Sequence, residues 1–254
     1  MVYVTGDTHA NFHRLTSHNF PKGKEMTKDD YVVILGDFGG VWNKTEDSEE
    51  KFWFNWLEER PFTTLFVDGN HENFDRLLEY PEKEWHGGIV NEIRPSILHL
   101  KRGYVFDIGD CKCFAFGGAR SHDIQDGILE VGDPRIKEWG REFQRKMYRI
   151  NHISWWIQEE PSDEEMDLGL KTLEENNWKV DFVFTHECPT SDLFQLYHFL
   201  NKSGLPVESY KLTNYLEEIK IKLDYKKWFF GHHHDNRAID DKDLLLYEQI
   251  VRIH

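Results

Sequence analysis

Five short stretches of this chain carry groups that bind metal ions or move protons. They are Asp7-Thr8-His9, Gly36-Asp37, Gly69-Asn70-His71-Glu72, a lone His186, and Gly231-His232-His233-His234. Each stands behind an apolar run of strand-like composition, for example YVVIL before Gly36 and KKWFF before Gly231. Their donor atoms are carboxylate, amide and imidazole, so the chemistry on offer is that of oxygen and nitrogen ligands. Singly, each stretch has an ordinary explanation. Asp7 after glycine suits a turn, Asp37 suits a cap for the next segment, and Asn70 suits left-handed backbone. A lone histidine such as His186 is more often hydrogen-bonded in a loop than bound to metal. Five such endings in order, each behind a β run, favour a metal site over five coincidences.

Spacing divides the histidines. Residues i and i+2 of an extended segment face one side, so Asp7 and His9 can share a target, and so can His232 and His234. His233 is expected to point away and to pack or face solvent. Ligands of open α/β sheets bind outside the carboxyl ends of strands, where these groups would meet. Glycine opens or directly precedes four of the five stretches (Gly6, Gly36, Gly69 and Gly231) and supplies tight turns.

The elements that must hold these groups are interleaved. Strands are expected at 2–7, 31–37, 63–71, 180–189 and 226–234, and a closing strand at 243–253. Residues 96–119 read as a meander of three short strands turning at Arg102-Gly103 and Gly109-Asp110. Helices are expected at 48–60, 73–80 and 134–150, and in the stretches DLFQLYHFL and YKLTNYLEEIKIKL. Another opens at Ser162, which precedes Glu165 by three in a capping box. This order suggests an α/β protein with two packed sheets and helices outside.

The whole chain of 254 residues holds 39% apolar and 30% charged residues, with 18 Phe, 10 Tyr and 9 Trp, enough to fill a substantial core. No run is long enough to cross a bilayer, and no signal peptide is recognised, so a cytoplasmic protein is expected. The three cysteines form no CxxC pair, which fits a reducing compartment. A net charge of −15 repels long nucleic acid, and no extended nucleic-acid surface and no membrane partner is expected. It also suits a chain that binds cations, because ligand carboxylates count as unpaired charge.

These residues resemble the calcineurin-like metallophosphoesterases, whose pattern runs D-x-H, G-D, G-N-H-[DE], a lone His and G-H-x-H. The resemblance spans residues 6 to 234. It implies a four-layer sandwich of two face-to-face mixed β-sheets flanked by helices, forming one domain over 1–254 with an inserted helical and loop segment around 120–160. It also implies two divalent ions. Asp7, His9 and His234 would hold one, Asn70, His186 and His232 the other, and Asp37 would bridge them. His71 would stand beside the phosphate as general acid or electrophilic stabiliser. Mixed N/O ligation favours Mn²⁺, with Fe or Zn²⁺ as alternatives.

This sequence departs from the family in one loop. Where protein phosphatases read G-D-x-V-D-R-G, it reads GDFGGVW, with Gly40 and Val41 in place of the acid and the arginine. Arg120 in FGGARSHD is the candidate to clamp phosphate instead, with Asp123 and Glu72 as weaker candidates for the missing acid. Trp42 stands near the proposed site and could stack on a ring, whereas Trp155-Trp156 reads as core packing. The expected activity is phosphoester hydrolysis on a phosphorylated substrate, a phosphomonoester ahead of a phosphodiester in nucleotides or short nucleic acid. The competing classes are a binding module without turnover and a single structural metal.

Overall fold

The computed structural model describes residues 1–140, 146–199 and 208–254. The first part of the chain runs β1 (Val2–Thr5), β2 (Tyr31–Leu35), α1 (Ser48–Glu58), β3 (Thr63–Val67), α2 (Phe74–Leu77), β4 (Glu82–Trp85), β5 (Gly88–Arg94) and β6 (Ile97–Leu100). Then come β7 (Tyr104–Ile108), β8 (Cys111–Phe116), β9 (Gly127–Leu129), α3 (Pro134–Trp139), β10 (Tyr148–Ile150) and α4 (Asp163–Glu175). The last part holds β11 (Phe182–Thr185), α5 (Thr190–Phe199), α6 (Lys211–Lys222), β12 (Lys227–Phe230), β13 (Arg237–Ala238), β14 (Asp243–Leu245) and β15 (Val251–Arg252). One sheet has the order β15-β1-β2-β3-β6-β5-β4 and the other β13-β14-β12-β11-β8-β7, both mixing parallel and antiparallel pairs.

Alternation along each central strand builds the layers. Val33, Leu35, Leu65 and Val67 of the first sheet share a buried cluster with Cys113, Ala115, Phe184 and Phe229 of the second, so the two sheets pack face to face. Their neighbours in sequence point the other way. Val32, Ile34 and Phe66 pack on Trp53, Phe54 and Leu57 of α1. Phe114, Val183 and Trp228 pack on Leu173 of α4 and on Leu212, Leu216 and Ile219 of α6. The result is the expected sandwich of helix, sheet, sheet and helix. The capping box forms as expected, with Ser162 Oγ accepting from the Glu165 N–H and the Glu165 carboxylate accepting from the Ser162 N–H.

Several expected elements are corrected. The meander of 96–119 is split, because β6 lies in the first sheet and β7 and β8 in the second. The closing strand is likewise two pieces: β14 belongs to the second sheet and β15 pairs with β1 in the first. The helix expected at 134–150 stops at Trp139, and Tyr148–Ile150 is a strand paired with β9, residues 141–145 lying outside those described. Residues 73–80 form a single turn, α2, and β12 ends at Phe230, before the histidines. Strands β4 and β5 were not foreseen: β4 is exposed and charged, and β5 carries a buried polar Asn91 that interrupts its apolar pattern. No helix among the described residues is long and apolar enough to cross a membrane.

A buried ionic group ties the end of β3 to its surroundings. Asp68 accepts from Arg102 Nε at 2.9 Å and meets His99 Nε2 at 2.9 Å, while Arg102 also reaches Glu165 of α4 at 3.1 Å. Burial would raise the Asp68 carboxyl, but Arg102 and His99 outweigh it and hold the group well below the usual carboxylate range. Its stabilising contribution is therefore full above the unfolded carboxyl pKa, about 3.9, and fades as pH falls below that value. Replacing Arg102 by Met leaves this charge buried with less compensation. The expected cost is about 3–5 kcal/mol, read from urea unfolding at pH 7, with a smaller cost at pH 3.

Candidate metal centre

The central strands of both sheets deliver their carboxyl ends to one place. In the first sheet β1, β2 and β3 run parallel and adjacent, ending before Asp7, Asp37 and Asn70-His71. In the second, β11 and β12 run parallel, ending before His186 and His232. Past those ends the backbone turns sharply. His9, Asp37, His232 and His234 all have positive φ, between 45° and 67°, and such strain in non-glycine residues gathers at functional sites. The pleat argument for Asp7/His9 and His232/His234 is therefore corrected: left-handed turns, not an extended segment, aim these side chains. Glycine is required beside them. A Cβ on Gly69 would stand 2.1 Å from Asp37 Oδ1, and Gly36 (φ +86°) lies against the His186 ring.

Two clusters of donor atoms result, sharing Asp37. Asp7, His9, Asp37 and His234 can place one ligand atom each within 4.8 Å of all the others, and so can Asp37, His186 and His232. Asp37 divides its oxygens between them: Oδ2 is 3.8 Å from His9 Nε2, and Oδ1 is 3.2 Å from His186 Nε2. His234 Nε2 is 3.1 Å from Asp7 Oδ2 and 3.1 Å from His9 Nε2. His233 turns away, as expected, and meets Glu187 Oε1 at 2.9 Å.

The free atoms match what two cations would need. Buried Asn70 Oδ1 and His232 Nε2 have no hydrogen-bond partner, and buried Asp7 Oδ2 and His186 Nε2 face other members of the two clusters, His234 Nε2 at 3.1 Å and Asp37 Oδ1 at 3.2 Å, a costly state unless something else satisfies them. The opposite ends of Asp7, Asn70 and His186 are tied down. His186 Nδ1 donates to Leu35 O at 2.7 Å, which leaves Nε2 with its lone pair. Asn70 Nδ2 donates to Ser121 Oγ, whose hydroxyl donates to Glu159 at 2.7 Å, so the amide oxygen is the end left over. Asp7 Oδ1 accepts from His232 N at 3.0 Å, and Asp37 Oδ1 from His71 N at 2.8 Å. The residues present fit a pair of divalent ions bridged by one carboxylate.

Electrostatics agree with that reading. Burial would lower the basicity of His186, yet Asp37 and Asp7 push it up to about 10, a measure of how strongly the two dry carboxylates attract positive charge. Burial would raise Asp37, yet it is held below the usual range by His186 and then by His71 and His9. Burial keeps His232 and His9 low, as ligands require. For His71, burial against the pull of Asp37, then the adjacent Arg149, pushes the imidazolium down to about 4.

Arg149 is the residue that sequence reasoning missed. Its Nη2 lies 3.1 Å from His71 Nε2, its Nε donates to Asp123 at 2.6 Å and its Nη1 to Ser154 O at 2.8 Å. The guanidinium is buried and keeps N–H bonds to spare. Arg120, expected to clamp phosphate, is instead locked in a two-pronged pair with Glu160 and lies over the Tyr210 ring at 4.3 Å. Asp123 serves as the anchor of Arg149. Glu72 is buried and accepts from the N–H groups of Phe38 and Gly39, which fixes the loop after Asp37. Trp156 is core, as expected, with its indole N–H on Asp75 at 2.7 Å. Ser121 and Glu159 were also missed, although the motif naming Arg120 contains Ser121.

A family model described as calcineurin-like phosphoesterase matches residues 1–236. Among curated proteins, lariat debranching enzyme A of Xenopus laevis is 23% identical over 92% of this chain and 42% of its own length. The lariat debranching enzyme of Schizosaccharomyces pombe is 25% identical over 86% of this chain and 47% of its own, and that of Danio rerio 22% over 92% and 40%. The chain thus spans less than half the length of these relatives. The resemblance read from the motifs and the match to residues 1–236 agree, and the chain belongs to the calcineurin-like phosphoesterases, metal-dependent hydrolases of phosphate esters.

Proposed function

We propose that this chain cleaves a phosphodiester, reversing the order in which the sequence ranked its two candidate activities. The observation that carries this is the likeness of 86–92% of the chain to lariat debranching enzymes, which are phosphodiesterases. Departure from the phosphatase loop supports it, since Gly40 and Val41 replace its acid and arginine. Residues 1–254 act as one domain in this reading, with 120–160 as the segment that brings Arg149 and Ser121 to the site.

Asp7, His9 and His234 would hold one ion and Asn70, His186 and His232 the other, with Asp37 shared between the two groups. Mn²⁺ is the proposed metal; the oxygen and nitrogen donor set, without thiolate, fits it and fits Fe or Zn²⁺ as well. When bound, such a pair of ions would neutralise phosphoryl charge and make water more acidic. The protein's own residues do the rest. Arg149 turns its remaining N–H bonds to a phosphoryl oxygen, the role the absent loop arginine would otherwise have. His71 works as a neutral ring whose Nε2 accepts from Arg149, so its proton sits on Nδ1. In that tautomer Nδ1 is the ring's donor, which favours the electrophilic role over the general acid.

The test compares a bis-aryl phosphodiester with an aryl phosphomonoester in the presence of Mn²⁺. A kcat/KM at least tenfold higher for the diester is expected. Equal rates or a preference for the monoester would return the reading to a phosphomonoesterase.

A further inference from the structure

A cavity of about 390 Å³ opens beside the candidate metal centre, on the side of His9 and His71. Its size falls among small-ligand sites, about 300–1,000 Å³. Its walls combine two features that select a ligand. One is aromatic. Trp42 lies nearly parallel to the His71 ring, with centroids 5.6 Å apart and planes at 25°, and Trp156 braces it edge-on. Trp53 adds a second indole to the lining. The other feature is acidic. Asp47, Glu49 and Glu50 line the cavity, and no lysine or arginine does so among the described residues.

This wall is rigid. Asp47 caps α1 by accepting from the N–H groups of Glu49 and Glu50, and its Oδ2 accepts from Asn43 Nδ2 at 2.8 Å. Glu50 accepts from the N–H groups of Trp42 and Asn43 and pairs with Arg76 at 2.8 Å. The loop carrying Trp42 is therefore bolted to α1 before any ligand arrives. An acidic, aromatic slot repels a second phosphate and favours a flat, uncharged group that presents N–H donors.

We propose that this cavity is a nucleobase subsite: one base of the diester stacks on Trp42 and turns its exocyclic amino group toward Glu49, the acid of the rim whose carboxylate the wall does not already use. The inference rests on the diester reading above and adds the substrate class to it. Loss of base–aromatic stacking is expected to lower kcat/KM at least tenfold.

The test uses the Mn²⁺-loaded full chain with the dinucleoside monophosphate ApA and its two abasic counterparts, in each of which one base is replaced by hydrogen. For the wild type, kcat/KM on ApA is expected to exceed that on one of the abasic compounds at least tenfold. In Trp42→Ala this ratio should collapse toward one, whatever the variant does to the absolute rate, and Trp42→Phe should keep most of it. A wild-type ratio near one for both abasic compounds, or an unchanged ratio in Trp42→Ala, overturns the subsite. If the bis-aryl diester is hydrolysed while ApA is not, the subsite fails and the diester reading stands. If no diester is hydrolysed, both fall.

Discussion

An Asp37→Asn chain is expected to fold and yet to lose more than roughly 10³-fold in kcat, since removing one transition-state donor alone costs about 10²–10³ in other hydrolases. The amide keeps the shape and can still accept from the His71 N–H, now made at 2.8 Å. It cannot offer a charged oxygen to both donor clusters, and Asp37 is the residue the two clusters share. The same change should return His186 to a less basic state, because Asp37 is the largest favourable influence on its proton. Activity and bound metal should fall together, the first measured with a bis-aryl phosphodiester and the second by elemental analysis. An Asp37→Asn chain that lost turnover with metal content intact would assign Asp37 a different role.

Arg149→Ala is the second large effect, expected at roughly 10²-fold in kcat/KM. Arg149 meets His71 Nε2 at 3.1 Å from a buried position, and no other arginine among the described residues is hydrogen-bonded to His71. Arg149→Lys should recover little, since a point charge replaces the planar fork. Folding is expected to survive, because the Asp123 partner is half-exposed and stays solvated when unpaired. A purely structural role is separated by inhibition with a phosphate ligand: the inhibition constant of inorganic phosphate should rise about tenfold if Arg149 grips a phosphoryl oxygen. An unchanged constant with a lowered rate would make Arg149 a positioning residue for His71.

The candidate metal ligands were legible because each stands just after a parallel central strand, and strands buried on both faces read as continuous apolar runs such as YVVIL. Their convergence could be read as soon as the endings were placed at one sheet edge. The way each side chain is aimed could not be read. Alternation on an extended strand was the expectation, and left-handed turns at His9, His232 and His234 do the work instead. Arg149 was illegible for a different reason. It lies 78 residues beyond His71 on a short strand in a polar segment, and only the tertiary fold brings the two together. Arg120 misled because a favourable local motif says nothing of Glu160, whose carboxylate occupies its fork. In the fold itself, the split of 96–119 between two sheets was hidden, since β6, β7 and β8 have the lengths and turns of a meander whichever sheet they join. Ser162 and Glu165, by contrast, carry their geometry in their spacing, and α4 begins where they place it.

The central claim is that one carboxylate and six further ligands gather a pair of cations. Its most direct test is the metal content of the purified chain after loading with Mn²⁺ and removal of free ions. Two ions per wild-type chain are expected, as a binuclear centre requires. One ion per chain, or none retained, would contradict it.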